Sequence, residues 1–137
     1  MKVYIAGKLG TESERAFLEK ITKIAEEIGF ETYLPHRDGG LARSNKDIKR
    51  IFKVDITENL PNSDIIIACL DGLHIGAGTA WELGFAYAKG IKMIGIKTDE
   101  PPSKALDYLS PMILGSLKII SSMDDLEKEL KKIKKEL

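Results

Sequence analysis

The sequence predicts an α/β protein: a doubly wound, five-stranded parallel sheet with helices on both faces. Three observations predict it. Short β-branched runs alternate with amphipathic helical stretches along the whole chain, as strands joined by crossover helices require. The run Ile65 to Leu70 is wholly apolar, as a strand covered on both faces should be. Breaks containing Gly or Pro separate the runs, and no internal repeat or low-complexity segment interrupts them.

The first strand is expected at Lys2 to Ala6, followed by the loop Gly7-Lys8-Leu9-Gly10. Thr11 then opens a helix, with Glu14 three residues on completing a capping box and Phe17, Ile21, Ile24 and Ile28 as its apolar stripe. Gly29 stops it. A second strand, Phe30 to Leu34, leads into the polar loop Pro35 to Gly40, and Ser44 opens a helix that ends before Pro61. The third strand, Asp64 to Leu70, is the expected centre of the sheet. A glycine-rich turn, a helix from Thr79 to Lys89 closed by Gly90, and a fourth strand from Lys92 to Lys97 follow. After Pro101-Pro102 come a helix at Ser103 to Leu109, a short strand at Leu117 to Ile120, and a last helix with Leu126, Leu130, Ile133 and Leu137 on one face. This order is that of a flavodoxin-like sheet, in which ligands sit outside the carboxyl ends of the strands. The loops after the first three strands are therefore the places where a site is expected.

At 137 residues the chain is long enough for one domain, residues 1–137, with a substantial core. It carries 21 Lys plus Arg against 21 Asp plus Glu, so its formal net charge is zero. No basic block stands apart, which argues against a polymeric nucleic-acid partner. The longest apolar run is far too short to cross a bilayer, and no secretory signal is visible, so a cytoplasmic location is expected. The one cysteine, Cys69, reads as a small strand residue that can form no internal disulfide. Lysine is preferred over arginine, 17 to 4, and Gln is absent, a bias in the direction reported for hyperthermophile proteins.

Three residues stand out chemically. Glu82 follows the glycine-rich turn that holds Gly72, Gly76 and Gly78. Thr79-Ala80-Trp81-Glu82 fits a capping box, so the carboxylate is either a cap or a reactive group. Asp55 continues the spacing Ile48, Ile51, Phe52, which places a carboxylate on a stripe expected to be buried; such a charge must be hydrogen-bonded or functional. Tyr4 lies on the first strand, with a hydroxyl near its carboxyl end that needs a partner. His36 and His74 have no companions at metal-ligand spacing, so no metal is expected, and no other cofactor is called for. The Lys-rich tail, Lys128 to Lys135, alternates with Glu and reads as a solvated helix face.

Val3-Tyr4-Ile5-Ala6-Gly7, Leu34-Pro35-His36-Arg37-Asp38, Asp55, Asp64 to Leu70, and Gly78-Thr79-Ala80-Trp81-Glu82-Leu83-Gly84-Phe85-Ala86 together resemble the nucleoside 2-deoxyribosyltransferase family. The G-T-A-x-E-x-G segment is the most specific part. The resemblance implies that Glu82 is the nucleophile, Asp55 the aspartate that assists at the base or leaving group, and Tyr4 the tyrosine that orients the nucleophile. Substrate-binding positions are expected at Gly7, Lys8, Leu9 and Gly10, at His36 and Arg37, and at Gly76 and Gly78.

One departure bears on the substrate. Transferases acting on free nucleosides typically carry D-S-G-T-A-x-E, with an aspartate for the sugar 5′-hydroxyl; here Gly76 and Ala77 stand at the corresponding positions. A carboxylate there would repel a 5′-phosphate by a few kcal/mol at ~4 Å and an effective dielectric of ~20. Leu109-Ser110-Pro111-Met112-Ile113-Leu114-Gly115 resembles the L-S-x-M-x-x-G stretch of the related 2′-deoxynucleoside 5′-monophosphate N-hydrolases. That resemblance implies substrate contacts at Ser110 and Met112, with the serine reaching a neighbouring subunit's site in a homodimer. Those hydrolases usually have serine where Gly76 stands. The expected activity is hydrolysis of the N-glycosidic bond of a small deoxynucleotide. Base exchange on free deoxynucleosides and a non-catalytic nucleotide sensor are the alternatives. A cytokinin-activating phosphoribohydrolase is disfavoured, because its P-G-G-x-G-T motif is missing.

Overall fold

Five short β-branched runs form the strands Lys2–Ala6 (β1), Glu31–Tyr33 (β2), Ile65–Cys69 (β3), Lys92–Ile96 (β4) and Lys118–Ile120 (β5). The computed structural model describes all residues, Met1–Leu137. Every strand pair is parallel, in the order β2-β1-β3-β4-β5. This is the doubly wound, flavodoxin-like order, with β3 central as expected. The helices are Glu12–Ile28 (α1), Asp47–Phe52 (α2), Ala77–Ala88 (α3), Pro111–Ser116 (α4) and Met123–Lys135 (α5).

Alternation along the strands builds two cores. Val3, Ile5, Ile65 and Ile67 face α1 and α5, where they meet Leu18, Ile21, Leu126 and Leu130. Tyr4, Ala6, Ile66 and Ala68 face the opposite side and meet Leu60, Leu83 and Ala86. Both faces of the central strand are thus buried, which explains why its sequence is unbroken rather than alternating. No helix is long and apolar enough to cross a membrane.

The α1 boundaries follow their local chemistry. The Thr11 hydroxyl accepts from the Glu14 amide at 3.1 Å and the Thr11 amide donates to Glu14 Oε1 at 3.0 Å, so the capping box forms and stabilises the helix by about 1 kcal/mol. Gly29, at φ 109°, ends it in the left-handed conformation. Its stripe is centred on Leu18, Ile21 and Ala25, with Phe17, Ile24 and Ile28 only flanking it.

Other boundaries differ from expectation. The segment Pro35–Gly39 is not an open loop but a π-helical turn, with the Leu34 amide donating to Asp38 Oδ2 at 2.9 Å. The second helix starts at Asp47, not Ser44, and rewinds into a π-helical stretch, Lys53–Asn59, and a 3-10 turn, Leu60–Asn62. Within that stretch the Asn59 side chain donates to the Val54 carbonyl at 2.7 Å. α3 starts at Ala77, two residues before Thr79, because Gly76 in extended backbone serves as its N-cap. Ser110 and Pro111 open α4, a helix the sequence reading did not foresee, while the expected helix at Ser103 to Leu109 is a 3-10 turn at Pro102–Asp107. Leu137 lies beyond α5 and is exposed, so it does not extend that helix's stripe.

Candidate active site

Strand order reverses between β1 and β3, and the chain leaves both strands there through glycine-containing loops. A Cβ at Gly7 would lie 2.7 Å from Leu18 Cδ2 and 3.2 Å from Cys69 Cβ, so only glycine passes between α1 and β3. A cleft of about 680 Å³ opens above these ends. Gly7 to Leu9 form one wall, Ile48, Ile51, Phe52 and Asp55 a second, and the first turns of α3 the third.

Two hydrogen-bonded tyrosine–carboxyl pairs lie together in this region. The Tyr4 hydroxyl donates to Glu82 Oε2. The Tyr33 hydroxyl donates to Asp55 Oδ1 at 2.6 Å. The two tyrosines are register partners in the β1–β2 ladder, and their rings stack with centroids 5.4 Å apart. Burial pushes the Glu82 carboxyl up to about 7; the Tyr4 hydrogen bond opposes this, and the Asp55 charge adds to it. Burial also raises the Asp55 carboxyl above its ordinary value, against the Tyr33 hydrogen bond and the Arg50 charge. Both phenols are pushed upward, chiefly by burial, and stay protonated donors at neutral pH. Two carboxyls held in different environments at one cleft can divide nucleophilic and acid–base work.

The capping-box alternative for Glu82 does not hold, since the helix begins before Thr79 and the carboxyl bonds Tyr4. The expected buried stripe on the second helix is also corrected. α2 buries no residue, Ile48 and Phe52 are more than half exposed, and the stripe lines the cleft. Asp55 sits on the π-helical stretch that follows. Sequence reasoning missed Tyr33 and the role of Gly39, where a Cβ would lie 2.9 Å from Asp55 Oδ1 and 2.5 Å from the Tyr33 hydroxyl. The register of Tyr33 opposite Tyr4 was the available signal.

The remaining expected site residues divide between places. Gly7, Lys8, Leu9, Gly76 and Gly78 line the cleft with Glu82 and Asp55. Lys8 lies across the glycine turn: its Cγ is 3.3 Å from where a Gly76 Cβ would be, and its Nζ 3.0 Å from where a Gly72 Cβ would be. Gly10, His36 and Arg37 are not among the residues that form the cleft walls. His36 Nε2 pairs with Glu19 of α1 at 3.1 Å, and Arg37 is tied to Asp38 and Glu26. Ser110 and Met112 line a separate groove, beside Leu83 and Tyr87 of α3. The Ser110 hydroxyl accepts from the Met112 amide at 3.1 Å.

The base of the glycine turn is clamped to β4. The buried Lys97 ammonium donates to the Leu70 and Gly72 carbonyls and pairs with Asp99 at 2.9 Å, while Asp99 accepts from the Gly72 amide. Asp71 in turn accepts from the Thr98 amide and hydroxyl. Burial pushes the Cys69 thiol up to about 11, which leaves it protonated at neutral pH. No cluster of three or more His, Cys, Asp or Glu side chains is arranged to hold a metal ion.

Comparison with known proteins agrees with this fold. Among solved structures the chain is similar to a conserved protein from Enterococcus faecalis, at 28% identity over 96% of this chain and 98% of that one, with a TM-score of 0.77. It shares its fold with a 2-deoxyribosyltransferase from Bacillus psychrosaccharolyticus, at 23% identity over 93% and 90% of the chains and a TM-score of 0.77. It also shares it with a CMP N-glycosidase from Clostridium botulinum, at 21% identity over 98% of each chain and a TM-score of 0.57. No curated protein matches the sequence. The family model for nucleoside 2-deoxyribosyltransferase matches residues 3–130, which include Tyr4, Asp55 and Glu82, and the chain belongs to that family of enzymes.

Proposed function

We propose that this protein hydrolyses the N-glycosidic bond of 2′-deoxynucleoside 5′-monophosphates to the free base and deoxyribose 5-phosphate. The observation that carries the reading is the Tyr4–Glu82 hydrogen bond beside Asp55 at the wall of one cleft. Glu82 attacks C1′ as the C1′–N bond breaks, the electron pair leaving with the base while Asp55 supplies the proton. Water then attacks C1′ as the C1′–Oε1 bond breaks, its proton passing to the Asp55 carboxylate, which restores both side chains and frees deoxyribose 5-phosphate. Tyr4 holds Glu82 Oε2, which leaves Oε1 as the attacking atom.

Lys8 supports the monophosphate. Its side chain rests on the turn where Gly72 and Gly76 leave room, and its ammonium is in no ion pair. An unpaired ammonium beside the glycine turn suits a phosphate better than a sugar hydroxyl. Ser110 lies in a different groove from Glu82, so a contact from it to substrate requires a second copy, and the active form is a homodimer.

Family membership favours base exchange on free deoxynucleosides as the second reading. One experiment separates the two. The protein is incubated with deoxynucleotides and with deoxynucleosides, with and without an acceptor base, and products are followed by chromatography. Base release from monophosphates without an acceptor is the expected result. Exchange confined to nucleosides overturns the hydrolase reading, and tight nucleotide binding with no turnover assigns a sensor.

A further inference from the structure

The mechanism above uses Tyr4, Glu82 and Asp55 and leaves Tyr33 without a part. Tyr33 is 5% exposed, and its hydroxyl is spent on one carboxyl oxygen, Asp55 Oδ1. Asp55 Oδ2 accepts from no protein group, yet it is not sealed off, because the one buried side-chain polar atom without a partner is His36 Nδ1. The two oxygens of Asp55 are therefore not equivalent. One is committed to a phenol that donates, and the other is free on a residue that lines the cleft.

The surroundings fix this inequality. The Tyr33 ring is stacked on Tyr4, so neither phenol can swing without displacing the other. The Pro35–Gly39 turn closes over the Tyr33–Asp55 contact so tightly that a Cβ at Gly39 would collide with both partners. Arg50 of α2 donates to the Gly39 carbonyl at 2.8 Å and holds that turn in place. Asp55 itself is carried on π-helical backbone, a winding that re-aims a side chain and is frequent at functional sites.

We infer that Tyr33 is the positioning residue for the acid: by holding Asp55 Oδ1, it leaves Oδ2 as the oxygen that carries the proton delivered to the departing base. The inference rests on the hydrolase reading above. In the step, the Oδ2–H bond breaks and a bond from hydrogen to the base forms. The C1′–N electron pair goes to the base, and Asp55 is left as a carboxylate still held by the Tyr33 hydroxyl. Tyr33 touches no reacting atom. The two tyrosines have matching tasks, each occupying one oxygen of its carboxyl and leaving the other for the substrate.

Tyr33→Phe tests this with two substrates. The first is a deoxynucleoside 5′-monophosphate, whose base must be protonated to leave. The second is 4-nitrophenyl 2-deoxyriboside 5-phosphate, whose nitrophenolate leaves without a proton. On the deoxynucleotide kcat falls about 10- to 100-fold while KM changes by less than about twofold, a fraction of what full acid catalysis contributes. On the nitrophenyl substrate the variant keeps most of its rate, which also shows that it folds.

The charged and titratable groups facing Asp55 and Tyr33 are Arg50 from α2, Tyr4 and Lys2 from β1, the Lys2 ammonium lying 5.7 Å from the centre of the Tyr33 ring, Glu82 from α3, Asp38 from the adjoining turn and Glu58 from the π-helical stretch. None of these is altered by Tyr33→Phe. Removing the hydrogen bond that favours the Asp55 carboxylate moves the alkaline limb of the deoxynucleotide pH–rate profile to higher pH. Equal losses on both substrates, or an unmoved alkaline limb, overturn the role. A wild-type protein that turns over neither substrate contradicts the hydrolase reading itself. A wild type that turns over both, matched by Tyr33→Phe, contradicts only the inference.

Discussion

The Tyr4 hydroxyl donates to Glu82 Oε2 across 78 residues of sequence and joins β1 to the second turn of α3. The bond favours the ionised carboxyl and so opposes the burial that pushes Glu82 up to about 7. Tyr4→Phe removes that opposition. The acid limb of kcat/KM, which reports loss of the Glu82 carboxylate, moves to higher pH, and activity at pH 7 falls more than activity at pH 9. Rate measurements over pH 5 to 9 check this.

Glu82 also links stability to pH. Its folded-state value of about 7 lies above the ordinary 4.5, so between these pH values the native state binds more protons than the unfolded state. Stability therefore falls as pH rises through that window and stays reduced above it. Glu82→Gln removes the penalty while keeping a partner for Tyr4. The variant is expected to be more stable by roughly 2 kcal/mol at pH 8, less than the full shift because the carboxyl is not sealed from the cleft, and equal to wild type near pH 4. Denaturant titration at the two pH values measures it.

Lys8→Met separates phosphate from sugar recognition. Loss of one charge-assisted contact at a partly exposed site raises KM for a deoxynucleotide about 10-fold. Turnover of a deoxynucleoside, where detectable, is unchanged. An equal effect on both substrates would place Lys8 elsewhere in the reaction.

Ser110→Ala tests the second copy. The serine lies outside the cleft of its own chain, so the variant raises KM only if a neighbour's cleft receives it. Mixing Ser110→Ala with Glu82→Gln is the decisive form. Mixed dimers hold one cleft with intact Glu82 and a neighbour's intact Ser110, and activity with wild-type KM reappears above that of either variant alone. Unchanged KM in Ser110→Ala argues for a self-contained monomer site.

Much of this was legible in the sequence, for reasons visible in individual residues. The unbroken run Ile65 to Leu70 identified the central strand because both of its faces are covered. Thr11 with Glu14, and Gly29, marked α1 because caps are local chemistry. Glu82 was ambiguous because Thr79 imitates an N-cap, and the true cap, Gly76, offers no side chain to read. The stripe Ile48, Ile51, Phe52 was assigned to the core because helical spacing reports which residues share a face, not what that face meets. His36 and Arg37 looked like ligand groups, but Glu19 and Glu26 of α1 engage them, a tertiary pairing that no local pattern encodes. The π-helical winding that carries Asp55 has no signature in a 3.6-residue period. Tyr33 acquires meaning only through its register with Tyr4.

Lys97 tests the clamp under the glycine turn. Lys97→Met leaves the Leu70 carbonyl unpaired at a buried position, frees the more exposed Gly72 carbonyl, and returns Asp99, which is 41% exposed, to water. The expected cost is about 1–3 kcal/mol of stability, read as a lower denaturation midpoint. Little change would mean that the turn holds its shape without the clamp.

The central claim is that Glu82 is the nucleophile of an N-glycosidase. Its most direct test is the rate of free-base release from a deoxynucleoside 5′-monophosphate by Glu82→Gln against wild type, with circular dichroism confirming an intact fold. The account predicts a loss of at least about 1,000-fold in a protein as stable as the parent or more so. Release at the wild-type rate by the folded variant would contradict it.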